Sequence, residues 1–280
     1  MAGVEFAKWH GTENDFVVLP DEDGELELTE ALVRALCDRQ RGLGADGVLR
    51  VVRTAKLADA PAGVDSAEWF MDYRNADGSI AEMCGNGVRV FARYLVDQGL
   101  AGAGEFAVGT RAGIRPVRTH ADGTVTVDMG PVTVFGRSTA TLGGREYPGV
   151  AVDVGNPHLV CPLDGGLDEL DLSTAPGHDP AVFPRGVNVE FVRTLGPGAL
   201  RMRVYERGVG ETRSCGTGTV ATAAAALHLT GRGTGEVTVD IPGGQVRVAV
   251  EAQRATLTGP AVEVARGVLA QSWWDSVRAS

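Results

Sequence analysis

Cys84-Gly85-Asn86-Gly87 and Cys215-Gly216-Thr217-Gly218 are the two stretches whose reading decides the fold. Each is followed by an apolar run that reads as a helix. The cysteines are 131 residues apart, and the match extends upstream. Asn75 and Glu206 each lie nine residues before their cysteine. Both end an alternating stretch, Trp69 to Arg74 and Arg201 to Tyr205. The chain therefore reads as one strand–turn–cysteine–helix unit carried twice. A duplicated fold with a thiol at each of two facing helix starts suits removal of a proton from one side of a carbon and its return on the other.

Working outward, Val4 to Lys8 and Phe16 to Leu19 read as strands around a polar turn at residues 10–15. Thr29 caps a helix from about Glu30 to Arg39, with Gly42 just past its end. Val48 to Val52 is a strand, and residues 56–66 form a loop. The first motif helix runs from about Gly85 to Gln98 and stops at Gly99. Arg89, Arg93 and Asp97 share a narrow polar stripe on it, which leaves the rest for burial. Further strands are expected at Thr124–Met129, Val150–Val154, His158–Pro162, Val187–Val192, Leu200–Tyr205, Val237–Ile241, Val246–Val250 and Ala255–Leu257. The second motif helix, about Thr217 to Leu229, is apolar all round and so belongs in a core.

The expected class is α+β: two pseudo-symmetric domains, each a curved, mostly antiparallel sheet wrapped around a central helix. The division falls near Asp128-Met129-Gly130-Pro131. It gives residues 1–128 plus 263–280 as the domain carrying Cys84 and 129–262 as the domain carrying Cys215, with the active site in the cleft between them. Gly42-Leu43-Gly44-Ala45-Asp46-Gly47 matches a dinucleotide-binding string. That string must follow a strand and open a helix. Here it follows a helix and opens a strand, and it reads as a turn.

Composition narrows the function. The chain has 280 residues, 44% hydrophobic and 22% charged, with a net charge of −10. An acidic balance argues against nucleic acid or an anionic membrane as partner. No run approaches the roughly 20 apolar residues of a membrane span, and Met1 to His10 lacks a signal-peptide pattern. A cytoplasmic location is expected. Cys37, Cys84, Cys161 and Cys215 form no Cys-x-x-Cys pair and have no zinc-like histidine spacing, so no metal is expected and all four read as free thiols.

A helix N-terminus favours the thiolate and lowers a thiol pKa. The glycines leave backbone N–H groups open to a carboxylate. One thiolate as base and one thiol as acid, on opposite faces of a carbon, would invert a stereocentre. The competing reading, small buried cysteines at tight turns, weakens when two tetrads recur at matched offsets. Cys37 and Cys161 read as structural. Asn14, Asn75, Asn156 and Asn188 each adjoin a strand end, where asparagine is also an ordinary turn residue. Glu206-Arg207 reads either as a surface ion pair or as a clamp for a second carboxylate. Taken alone, His158 reads as a core histidine. Lys8 and Lys56 are the only lysines, and both read as solvent-facing, which leaves few candidates for a pyridoxal Schiff base.

These strings resemble the diaminopimelate epimerases, amino-acid epimerases that use no pyridoxal phosphate. The matching segments are residues 10–16, 75–79, 83–87, 155–158, 206–212 and 214–218, in family order over nearly the whole chain. The resemblance implies interconversion of LL- and meso-diaminopimelate, on the route to lysine and peptidoglycan, with no cofactor. It implies Cys84 and Cys215 as the acid/base pair, with His158 and Glu206 in support. Backbone N–H groups of Gly85-Asn86 and Gly216-Thr217 would hold the reacting carboxylate. Asn14, Asn75, Asn156, Asn188, Glu206 and Arg207 would bind the remaining substrate groups. It also implies a homodimer and a C-terminal segment returning to the first domain. One departure is visible: Gly47 stands where many members carry a substrate-binding glutamine. A racemase of proline-type substrates on the same fold, and an amino-acid-binding module without chemistry, are the competing functions.

Overall fold

The computed structural model describes residues 3–278. The chain divides into two compact units, Met1–Val127 with Pro260–Ser280, and Asp128–Gly259.

The first unit opens with β1 (Glu5–Gly11) and β2 (Asn14–Pro20), followed by α1 (Glu30–Cys37). Strands β3 (Gly47–Arg53) and β4 (Trp69–Asn75) lead to α2 (Gly85–Asp97), then β5 (Glu105–Thr110), β6 (Gly113–Thr119) and β7 (Thr124–Gly130). The second unit holds β8 (Thr133–Leu142), β9 (Arg145–Asp153), β10 (Pro157–Leu163), β11 (Asn188–Gly196), β12 (Ala199–Glu206) and β13 (Gly210–Thr212). Helix α3 (Gly216–Leu229) follows, then β14 (Gly235–Ile241), β15 (Gly244–Val250) and β16 (Ala255–Pro260). The chain then returns to the first unit with β17 (Val262–Val268) and α4 (Gln271–Arg278).

Strand pairing repeats between the units. In the first, β17 pairs antiparallel with β1, and β1 with β2. Strand β2 runs parallel to β3, β3 antiparallel to β4, and β4 parallel to β5; β5, β6 and β7 then pair antiparallel in turn. In the second, β8, β9 and β10 are antiparallel neighbours, β10 is parallel to β11, and β11 antiparallel to β12. Strand β12 is parallel to β14, and β14, β15 and β16 are antiparallel. Each unit is thus a curved, mostly antiparallel sheet, and the expected α+β class holds. A parallel neighbour needs a crossover, usually a helix. The crossover from β4 to β5 is α2, and that from β12 to β14 contains α3. The cysteine tetrads begin these two helices.

Helix α2 packs against β1, β2, β3, β4 and β6 of its own unit, and α3 against β8–β12, β14 and β15 of its own. Gly218 to Ala225 of α3 are buried throughout, as an all-round apolar helix requires. Helix α2 departs from expectation at one residue. Arg93 and Asp97 form a half-buried ion pair at 2.9 Å, but Arg89 is fully buried and does not belong to that stripe. Its Nη2 donates to Thr12 Oγ1 at 3.0 Å and Asn86 Oδ1 at 2.8 Å. The α2 spacing alone does not reveal that the β1–β2 turn supplies a partner.

Lys8 also differs from expectation. Its ammonium binds Asp15 Oδ2 at 2.6 Å and the Gly44 carbonyl, with only 15% of the side chain exposed. Lys56 is exposed. Residues 42–46 form the expected turn and close the end of α1: N–H groups of Leu43 and Gly44 reach the Leu36 carbonyl, and that of Ala45 the Cys37 carbonyl. Helix α1 stops at Cys37 instead of Arg39, because Asp38 adopts extended backbone and turns its carboxylate to the N–H groups of Gln40 and Arg41.

Candidate active site

Both tetrads fold as helix caps. Cys84 and Cys215 occupy the N-cap positions of α2 and α3, in extended backbone with φ −140° and −124°. The first N–H groups of a helix lack carbonyl partners. Here the sulfur takes one of them: Gly87 N–H at 3.5 Å from Cys84 Sγ, and Gly218 N–H at 3.4 Å from Cys215 Sγ. A carboxylate placed at such a helix N-terminus is stabilised by the same dipole.

In the first unit Asn14 lies beside the sulfur. Its Oδ1 meets Cys84 Sγ at 3.5 Å and accepts from Asn86 Nδ2 at 3.2 Å, while its own amide donates to Asp46 Oδ2 at 2.7 Å. The turn before Asn14 is tight, with Thr12 and Glu13 at φ 51° and 62°. Left-handed backbone at non-glycine residues clusters at functional sites. Asn75 spends its amide on its own turn, donating to Ser79 Oγ at 3.0 Å. Gly47 has no room for the glutamine that the resemblance places there. A Cβ on it would lie 2.5 Å from the Arg74 carbonyl oxygen and 2.6 Å from the Tyr73 ring.

In the second unit a hydrogen-bonded series leads to the other sulfur. Thr217 Oγ1 lies 3.6 Å from Cys215 Sγ and accepts from Asn156 Nδ2 at 3.4 Å. Asn156 Oδ1 is 3.0 Å from His158 Nε2, and His158 Nδ1 is 2.6 Å from Glu190 Oε1. His158 and Glu190 are both fully buried. Asn188 Oδ1 accepts the Arg207 backbone N–H at 2.9 Å. The exposed Arg207 side chain reaches the Arg185 carbonyl, while Glu206 accepts from the Thr212 hydroxyl.

The electrostatics correct one expectation. Burial pushes the Cys215 thiol well above its ordinary value, and Glu206 and Glu190 add to that rise. The Gly218 N–H and Thr217 hydroxyl pull the other way and are outweighed. A helix start lowers a thiol pKa only where desolvation is modest. The balance favours the protonated form of Cys215. Cys37 and Cys161 are buried, and desolvation raises both to about 12. They are inert, as their positions in the sequence imply.

Sequence reading missed Asp46, Arg89 and Glu190. Glu190 carries a signal: it is the one charged residue in the apolar run 187–192, and it shares a strand face with Asn188.

The sequence model of the family described as diaminopimelate epimerase matches residues 6–135 and 150–264. The chain belongs to the diaminopimelate epimerase family. Family members share most of its sequence. The diaminopimelate epimerase of Rhodococcus erythropolis strain PR4 is 57% identical, over 99% of this chain and all of the relative. That of Mycobacterium tuberculosis strain H37Ra is 56% identical, over 97% of this chain and 99% of the relative. Solved structures share the fold at much lower identity. A PhzF-family phenazine biosynthesis protein from Bacillus anthracis has a TM-score of 0.68 at 16% identity, covering 96% of this chain and all of its own. A hydroxyproline epimerase from Agrobacterium vitis, with trans-4-hydroxy-L-proline bound, has a TM-score of 0.66 at 17% identity, covering 96% and 91%.

Proposed function

We propose that the chain is an isomerase that converts LL-2,6-diaminopimelate to meso-diaminopimelate by two-base proton exchange between thiols, without pyridoxal phosphate. The observation that carries this reading is the pair of cysteine-capped helix starts at equivalent crossovers of a duplicated fold. Relatives named for that reaction, at 55–58% identity, support the substrate.

Residues 1–128 with 263–280 form the domain that contributes Cys84, and residues 129–262 the domain that contributes Cys215. The substrate α-carboxylate docks on N–H groups of Gly85-Asn86 and Gly216-Thr217, where helix dipoles favour negative charge. The Cys84 sulfur takes the α-proton as base. The electron pair left on carbon spreads into the carboxylate, which the N–H groups stabilise as charge develops. The Cys215 thiol returns a proton to the opposite face. The meso-to-LL direction reverses the two roles. His158 and Glu206 support the thiols or the substrate amine. Asn14, Asn75, Asn156, Asn188 and Arg207 hold the amines and the distal carboxylate. Lys8, tied to Asp15, and the exposed Lys56 are poor Schiff-base candidates, which supports a reaction without pyridoxal phosphate.

The test is proton NMR of reduced protein with the LL isomer in deuterated water, with no added cofactor. The expected result is loss of the α-proton signal with appearance of the meso isomer. An unchanged spectrum from folded protein with free thiols would sink the substrate assignment.

The enzyme serves lysine and peptidoglycan precursor synthesis in the cytoplasm, where reducing conditions keep Cys84 and Cys215 as thiols. No helix among the described residues is long and apolar enough to cross a membrane. The assembly is a homodimer. Val262, Val264 and Val268 of β17, each more than 40% exposed, offer an apolar strand for a second copy. Sedimentation equilibrium should return twice the mass of the chain; a monomer at micromolar concentration would refute the dimer.

A further inference from the structure

Glu190 is buried in the second unit without a complete set of partners. Its Oε1 meets His158 Nδ1 at 2.6 Å, and its Oε2 is buried with no hydrogen-bond partner. A buried polar atom without a partner costs on the order of 1–3 kcal/mol, more for a charged group. A carboxylate kept at that cost inside an apolar strand calls for a role.

Its position supplies one. A Cβ on Gly218 would lie 2.7 Å from Glu190 Oε1 and 3.3 Å from Cys215 Sγ. The carboxylate therefore sits behind the first turn of α3, on which the sulfur is mounted. A glycine at 218 gives it that space. At the equivalent place in the first unit, a Cβ on Gly87 would make only ordinary contacts, at 3.5 Å or more. The glycine of the second tetrad is needed for a reason that the first does not share.

The protons can be counted. Asn156 spends its amide donor on Thr217, so its Oδ1 faces His158 Nε2 as an acceptor. His158 Nε2 must then carry a proton. The short Nδ1 to Oε1 contact holds one more proton, on either atom. The pair is net neutral in both arrangements, and Nε2–H is fixed as the donor. Without Glu190 that second proton is lost, and an imidazole left with a single proton could carry it on Nδ1, where its Nε2 lone pair would oppose Asn156 Oδ1.

We propose that Glu190 is a positioning residue of the epimerisation site, acting through His158 and Asn156 on the groups around the Cys215 sulfur. It locks the His158 ring as an Nε2–H donor, which turns the Asn156 carbonyl inward and its amide towards Thr217 and the sulfur. The ionisable groups around it are few. His158 faces it from β10, Glu206 lies at the end of β12 and Cys215 at the start of α3, while Cys161, on the opposite face of β10, is influenced only through its charge. Burial raises the Glu190 carboxyl to about 7, His158 lowers it and Glu206 raises it. Its charge also disfavours the Cys215 thiolate. Glu190 thus acts twice, on the orientation of Asn156 and on the resting protonation of the donor thiol.

The kinetic part rests on the epimerase reading above; the hydrogen-bonded series does not. The experiment has three readouts. In wild-type protein, long-range proton–nitrogen NMR should show His158 Nε2 protonated at neutral pH; an unprotonated Nε2 would overturn the proposal without any variant. In Glu190→Gln, kcat should fall on the order of 10–100-fold, with KM within about threefold, as expected for misplaced rather than missing groups. In a Cys84→Ser background, the pH at which iodoacetamide begins to alkylate Cys215 should move lower in Glu190→Gln, because a neighbouring carboxylate that opposes the thiolate when ionised is gone. A lower melting temperature with kcat and the alkylation profile both unchanged would make Glu190 merely structural and overturn the proposal. If wild-type protein exchanges no α-proton, the epimerase reading fails, while the ring spectrum and the alkylation profile still decide the role of Glu190.

Discussion

Cys84→Ala and Cys215→Ala should each lower epimerisation by about 10³-fold or more while the protein stays folded. Inversion needs a base on one face of the carbon and an acid on the other, so either thiol alone completes only half of the exchange. The structural cost is small. Each sulfur accepts a long N–H bond, from Gly87 at 3.5 Å or Gly218 at 3.4 Å, and loss of an N-cap costs about 0.5–2 kcal/mol. Serine separates the two contributions. A hydroxyl caps a helix better than a thiol does but is far too weak an acid to exchange the proton. Cys84→Ser and Cys215→Ser should therefore melt at or above the wild-type temperature and be as inactive as the alanine variants. Turnover within about tenfold of wild type in any of the four would refute the two-base assignment.

Asp72→Asn should destabilise the protein by about 3–5 kcal/mol. Asp72 lies on β4 with no exposed surface. Arg50 Nη2 approaches it at 2.8 Å, Arg74 Nε at 3.1 Å and Arg111 Nη2 at 3.1 Å. An amide leaves three guanidinium groups around a neutral side chain. For a chain of this size the melting temperature should drop on the order of 10 °C. The pH dependence has a definite sign. Burial is the largest influence on the Asp72 carboxyl and raises its pKa, but Arg74 and Arg50 outweigh it and hold the group below its ordinary value. A depressed carboxyl stabilises the fold above the unfolded-state pKa, and that stabilisation is lost as pH falls through the folded value. The gap between wild type and variant, followed by thermal unfolding, should be constant near neutrality and close in acid. A gap that is small at neutral pH, or that widens in acid, would refute this account.

The parts of the fold legible in the sequence were those repeated or deeply buried. The tetrads located both crossover helices because a glycine-flanked cap followed by apolar residues has few other meanings. Strands such as β11 and β14 announced themselves by their valines. Strands β5, β6, β8 and β17 did not. Strand β17 is mostly exposed along its length, and so is the first half of β8, so neither alternates clearly. Pro116 lies inside β6 and Pro148 inside β9, where proline argues against a strand. At the candidate site, residues in turns could be nominated by type. Arg89 and Glu190 could not, because each is explained by a partner far away in sequence: Thr12 for one, His158 for the other. The thiol of Cys215 taught the same lesson about energies. Its helix cap was legible, but the burial and the two carboxylates that outweigh the dipole belong to the packed structure.

The repeated pairing order also bears on how the chain is made. The second unit, Asp128–Gly259, is continuous, so its chain is fully synthesised before β17 is begun. The first unit is not. Strand β1 emerges among the first residues, yet its partner β17 spans Val262–Val268, and the two must pair across almost the whole length of the chain. Domains usually mature in the order of their synthesis, and here the order is inverted. The later half can finish first, while the earlier half waits with the edge of β1 open to any strand that reaches it. The end of the chain is thus a closing seam for its beginning. A chain released before residue 262 would carry a complete second half attached to an unfinished first.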